Sequence, residues 1–163
     1  MLEGTSRGRG LYDSVRDLVT GALGERTLAI IAFGSYVYRG GGGDVDLLIV
    51  VRGSLNPREK LSLEAEIRSL ALRRGISLDP HIMSLEDLRA NLAPDTFLSG
   101  LALGYDVILD REDVESLIIS FLSTLSRYDY VLYNRYGRWN LGRMAGILLR
   151  RKLRARAGGS TNT

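Results

Sequence analysis

Cysteine is absent from the 163 residues, which removes disulfides, zinc fingers, iron–sulfur clusters and thiol nucleophiles. Glutamine is absent as well, histidine occurs once as His81, and lysine only as Lys60 and Lys152. A single histidine rules out a His-rich metal site and argues against a Ser–His–Asp triad. No apolar run reaches the roughly 18 residues that a membrane-spanning helix needs, so no membrane association is expected. The Gly- and Arg-rich stretch 1–10 lacks the apolar stretch of a secretory signal and is expected to be disordered, with the protein in the cytoplasm. Arginine in place of lysine, with no cysteine or glutamine, fits a protein that survives heat. A GC-rich genome gives the same bias.

What is present is an ordinary globular composition, 45% hydrophobic and 25% charged, in a chain long enough to bury a core unaided. The net charge of +3 conceals an asymmetry. From Arg127 onward there are eight arginines and Lys152 against Asp129, a balance of +8 that leaves −5 on residues 1–126. A basic end on an acidic body attracts polyanions locally, whatever the net charge.

Apolar side chains at Leu11, Val15, Leu18, Val19 and Leu23 have the spacing of an amphipathic helix over 11–23. Residues 27–33 (TLAIIAF) read as a buried strand stopped by Gly34-Ser35, and 45–51 (VDLLIVV) as a second strand after the four glycines 40–43. Pro57 opens a helix that runs to about Arg74, with Gly75 at its end. Residues 76–83 (ISLDPHIM) read as a third strand, placed at a sheet edge or bulge by Pro80. Ser84, with Asp87 three residues on, marks a helix start. A short helix is expected over 94–103 and a fourth strand over 105–109, with helices over 112–126 and about 140–156. The fold class is therefore α/β or α+β, a mixed sheet with helices packed on it. The expected layout is a core over 1–110, a basic C-terminal helical extension over 111–156 and a disordered tail from 157.

The chemistry concentrates in 32–51, AFGSYVYRGGGGDVDLLIVV. Alternation along a strand points Asp44 and Asp46 the same way, with Val45 opposite. Two like charges side by side are costly unless a cation sits between them. A hard divalent ion such as Mg²⁺ takes oxygen ligands and keeps several waters, so two or three carboxylates suffice to hold it. The Gly34-Ser35 turn presents backbone N–H groups and a hydroxyl, which suits a phosphate. Asp79 completes the cluster if its strand pairs beside 45–51, as a ligand to a second metal or as the acceptor of a proton. The bland alternatives are a polar strand entry for Asp44 and Asp46 and a turn-forming Asp-Pro for Asp79.

Gly-Ser, a short linker, Asp-x-Asp on an apolar strand and a later strand Asp resemble the polymerase-β-type nucleotidyltransferase superfamily, and within it the minimal nucleotidyltransferases. The resemblance covers roughly residues 11–110. It implies a nucleotidyltransferase-type fold and transfer of a nucleoside monophosphate from an NTP, ATP by default, to an acceptor hydroxyl with release of pyrophosphate. It implies that Gly34 and Ser35, with Arg39, contact the triphosphate, and that Asp44, Asp46 and Asp79 hold two Mg²⁺ or Mn²⁺ ions. It also implies a small helical partner protein, as in toxin–antitoxin pairs. Two features depart from the pattern. The linker 36–43 is short, and Tyr36-Val37-Tyr38 stands where basic residues commonly follow the Gly-Ser. A member that binds nucleotide, nucleic acid or a partner without turnover is the alternative.

The glycines 40–43 lack the Lys-Ser/Thr of a P-loop and read as a connector. His81 shares the face of Asp79, which makes a group supporting the carboxylates the alternative to the structural role favoured for it. The segment 128–139 (YDYVLYNRYGRW) reads either as an amphipathic helix or as an aromatic surface for bases or a homodimer. Arg143, Arg150, Arg151, Lys152 and Arg154 make a basic helix face suited to nucleic acid or to plain solvation.

Overall fold

β1 (Thr27–Phe33), apolar from Leu28 on and buried at every position, is the spine of the molecule. In the computed structural model, which describes residues 3–159 (side chains from residue 8), it lies inside a four-stranded mixed sheet of order β3-β2-β1-β4. β2 (Val45–Val51) and β4 (Tyr105–Asp110) flank it antiparallel, and β3 (Leu78–Ser84) runs parallel to β2 at the edge. The edge position accommodates Pro80, which has no N–H to give a further strand.

Alternation sends the two halves of each strand into separate cores. Ile30, Ala32, Leu47, Ile49 and Ile82 pack with Val15, Leu18 and Val19 of α1 (Glu3–Leu23) and Ile67 of α3 (Pro57–Arg73). Ala29, Ile31, Phe33, Leu48, Val50 and Met83 pack on the other face, against Leu88 of α4 (Leu85–Asn91) and the 3₁₀ turn Phe97–Leu103. That second core continues without a break into α5 (Glu115–Leu125) and α6 (Leu141–Gly158) through Ile118, Leu122, Leu141 and Ala145. The C-terminal helices thus share a core with the sheet. Asp46, Asp79 and His81 have the parity of Leu48 and Met83, so all three emerge on this second face, at the end of the sheet where β1 stops and β2 and β3 begin.

Local signals act where they are written. The Asn56 side chain accepts from the Glu59 N–H at 2.8 Å ahead of Pro57, and Ser84 accepts from the Asp87 N–H at 3.0 Å. Each such cap is worth about 1 kcal/mol.

Several expectations need correction. Helix α1 begins at Glu3 instead of Leu11, so the disorder expected over 1–10 does not hold from Glu3 on; residues 1–2 lie outside the described residues. Helix α6 continues to Gly158 with its Gly159 N–H bonded back to Ala155 O at 3.2 Å, past the expected tail start at 157; residues 160–163 are outside the described set. The segment 128–139 is no helix. It forms a hairpin of β5 (Val131–Asn134) and β6 (Gly137–Asn140), so the extension over 111–156 is not wholly helical. Its turn is closed by the Asn134 carboxamide, which accepts from Tyr136 N–H at 2.9 Å and from Trp139 Nε1 at 3.1 Å, and Gly137 supplies a φ of 135°.

No helix among the described residues is long and apolar enough to cross a membrane.

Candidate active site

The site is built around one residue without a side chain. Gly34 ends β1 with φ 77° and ψ −166°, a region essentially reserved for glycine. A Cβ placed there would lie 2.0 Å from Asp46 Oδ2, because Phe33 and Asp46 face each other in the β1–β2 register. The Gly34 carbonyl accepts from the Val37 and Tyr38 N–H groups at 3.0 and 3.2 Å, which turns the chain into the single-turn helix α2 (Ser35–Tyr38). The four glycines that follow, all at positive φ, return the chain to β2.

Parallel pairing sets Asp46 beside Asp79 and Leu48 beside His81. His81 Nε2 lies 3.8 Å from Asp46 Oδ1 and 3.5 Å from Asp79 Oδ2, and its ring packs against Phe97 at 4.9 Å between centroids. One donor atom from each of Asp46, Asp79 and His81 falls within 4.8 Å of the others, all three side chains being partly exposed. Two carboxylates and an imidazole at that spacing fit a divalent cation. Asp44 is outside this tight group: it precedes β2, is exposed, and accepts a hydrogen bond from Ser77 Oγ. Asp79 is also met by Arg68 at 3.1 Å.

A cavity of about 390 Å³ gathers the remaining parts. Asp44, Asp46 and Asp79 line it together with Ser35, Arg39 and Gly41 to Gly43, so all the residues expected at the site lie on this cavity except Gly34, which sits directly behind Asp46. Arg135 and Tyr136, from the β5–β6 turn, line it as well. Desolvation works to raise the Tyr136 phenol, but Ser35, the Arg135 charge and Arg39 outweigh it and hold it below the usual tyrosine range.

Sequence reasoning missed two of these neighbours. The two-residue step from Asp79 points His81 towards the carboxylates, and its Nε2 lies near both of them, where a structural role was the favoured expectation. Arg135 and Tyr136 belong to 128–139, for which neither the helical nor the aromatic-surface reading included a hairpin, and the Asn134-to-Gly137 turn was the signal that could have revealed them.

Fold and cavity together define a class, an α+β protein with an acidic cleft at one end of a mixed sheet, flanked by a Gly-Ser turn and arginines. No family model and no curated protein matches the chain. Among solved structures, the chain is similar to one in a complex of the tri-AMPylated HEPN toxin and MNT antitoxin of Shewanella oneidensis, at 15% identity and a TM-score of 0.48, over 71% of this chain and 84% of that one. It is similar to a toxin–antitoxin structure with AMP-PNP, at 14% identity and a TM-score of 0.48, over 71% and 87%. It is also similar to the spectinomycin adenyltransferase AAD(9) of Enterococcus faecialis with ATP and spectinomycin, at 16% identity and a TM-score of 0.45, over 71% and 64%.

Proposed function

We propose that this protein is a metal-dependent nucleotidyltransferase, transferring a nucleoside monophosphate from an NTP, ATP in the first instance, to an acceptor hydroxyl. The observation that carries the reading is the cavity itself. Its lining combines the carboxylates of three aspartates with the Ser35 hydroxyl and Arg39. A magnesium or manganese nucleotide has both a cationic and an anionic part, and a cleft lined by both kinds of group is complementary to it.

Asp44, Asp46 and Asp79 would hold the divalent cations, two in the full site. His81, between Asp46 and Asp79, positions their carboxylates. The Ser35 hydroxyl and the Gly34-Ser35 turn take phosphate oxygens, and Arg39 offsets their charge. Cations bound there would supply charge neutralisation of the polyphosphate and would make the α-phosphorus more electrophilic. In the transfer, the acceptor oxygen bonds to the α-phosphorus as the bond from that phosphorus to the α–β bridging oxygen breaks. Pyrophosphate departs, and the hydroxyl proton passes to a carboxylate, with Asp79 in the role.

Incubation with each α-labelled NTP and Mg²⁺ or Mn²⁺, across candidate acceptors, tests this. Wild type transfers label, and Asp46→Asn lowers transfer by at least about a hundredfold, the upper end of what outer-shell changes alone cost at metal sites. Metal-dependent nucleotide binding without transfer to any acceptor would favour a binding module instead.

A further inference from the structure

The cavity's arginines come from two distant parts of the chain. Arg39 ends α2, whereas Arg135 sits in the two-residue turn between β5 and β6. Both guanidiniums gather on one ring: Arg39 Cζ lies 4.1 Å, and Arg135 Cζ 4.8 Å, from the Tyr136 centroid. Among the described residues neither arginine has an ion-pair partner, whereas Arg26, Arg52, Arg68 and Arg156 all do. Two cations that share one ring and have no ion pair repel each other, and an anion taken up between them removes that cost. The aromatic contacts run on from Tyr136 to Tyr38 at 6.4 Å and from Tyr38 to Trp139 at 5.6 Å, which fixes the hairpin against α2. The turn is therefore held over the Gly-Ser end of the cavity by packing.

We infer that the β5–β6 turn is the anion-binding half of this cavity, with Arg135 and Arg39 together gripping the outer phosphates of a nucleotide's polyphosphate chain. Tyr136 is the positioning residue between them, its ring a shared cation–π surface. The inference rests on the proposed nucleotide site and adds a role for the C-terminal hairpin. It also accounts for the missing basic residue directly after Ser35, because the charge is delivered by the hairpin instead. A planar guanidinium is suited to two phosphate oxygens at once.

Two separate titrations test it, one of inorganic tripolyphosphate without metal and one of Mn²⁺ alone, on wild type, Arg135→Gln, Arg138→Gln and Asp46→Asn. Arg138 is the control, an exposed arginine of the same hairpin that bonds Tyr133 at 3.3 Å and is not among the residues lining the cavity. Arg135→Gln is expected to weaken tripolyphosphate about tenfold or more, as for loss of a charged hydrogen bond, with Mn²⁺ affinity unchanged. Arg138→Gln is expected to bind tripolyphosphate like wild type. Equal affinity in wild type and Arg135→Gln, or an equal loss in Arg138→Gln, overturns the inference, as does a wild type that binds no tripolyphosphate. The Mn²⁺ arm keeps the parent reading separate. Loss of Mn²⁺ binding in Asp46→Asn supports the carboxylate site whatever the hairpin does, and a wild type that ignores Mn²⁺ sinks that site even if the clamp holds.

Discussion

At Gly34 a single missing carbon lets two strands bring the site together. The Asp46 carboxylate occupies the space that any side chain at position 34 would need, and the backbone there has a conformation that other residues adopt only under strain. Gly34→Ala is therefore expected to lower stability by about 1–3 kcal/mol and to displace Asp46, weakening Mn²⁺ as well. Thermal melts and a metal titration on the same sample check both; an alanine variant with wild-type metal affinity would show that Asp46 does not depend on this contact. Part of this scale was legible, because Gly34-Ser35 and Asp44-x-Asp46 lie close in sequence and meet at one cavity, but Asp44 precedes β2, so strand alternation does not govern it. The part that was not legible depended on register. Asp46 meets Asp79, and His81 reaches both, only through the parallel β2–β3 pairing. No local pattern distinguishes that arrangement from a histidine packed quietly against Phe97.

At the level of elements, the C-terminal third is held by contacts that composition does not announce. A Cβ at Gly142 would come 1.7 Å from the Tyr128 carbonyl oxygen, so the start of α6 lies directly on the chain leaving α5. Gly142→Ala should therefore cost about 1–3 kcal/mol by overpacking, although alanine favours helix in isolation. A denaturant midpoint at or above wild type would contradict so close an approach. Farther along, the Tyr105 hydroxyl donates to Glu115 Oε1 at 2.8 Å, and Lys152 lies 3.9 Å from the Tyr105 ring centroid. Burial, then the Glu115 hydrogen bond and charge, raise the Tyr105 phenol well above the ordinary tyrosine value. Its contribution is fully present below about pH 10, where both states keep the proton. It falls away as pH climbs further, because the unfolded chain ionises first. Tyr105→Phe is thus expected to be about 1 kcal/mol less stable at pH 8, with the gap to wild type closing towards pH 11. Denaturant melts at both pH values read this, and a gap that widens with pH would reverse the assignment. The helices and four main strands were readable from periodicity, Pro57 and Ser84. The hairpin was not, because YDYVLYNRYGRW mixes aromatics and arginines with no clean period of two, and its turn is set by the Asn134 side chain.

For the whole molecule, the charge asymmetry has two distinct fates. On α6, Lys152 lies 3.6 Å from Glu115, and Arg156 bonds both Glu115 and Asp113, so part of the basic helix is neutralised within the fold. The hairpin's Arg135 instead faces the acidic cleft, which turns a global excess of positive charge into one polarised cavity. The central claim, that this cavity holds a metal-bound nucleotide, is tested most directly by titrating a non-hydrolysable ATP analogue into wild type and Asp46→Asn, each with and without Mn²⁺. Metal should tighten binding at least about tenfold in wild type, a coupling of about 1.4 kcal/mol, and leave Asp46→Asn nearly unchanged. Binding that ignores the metal in wild type, or the same metal enhancement in Asp46→Asn, would contradict it.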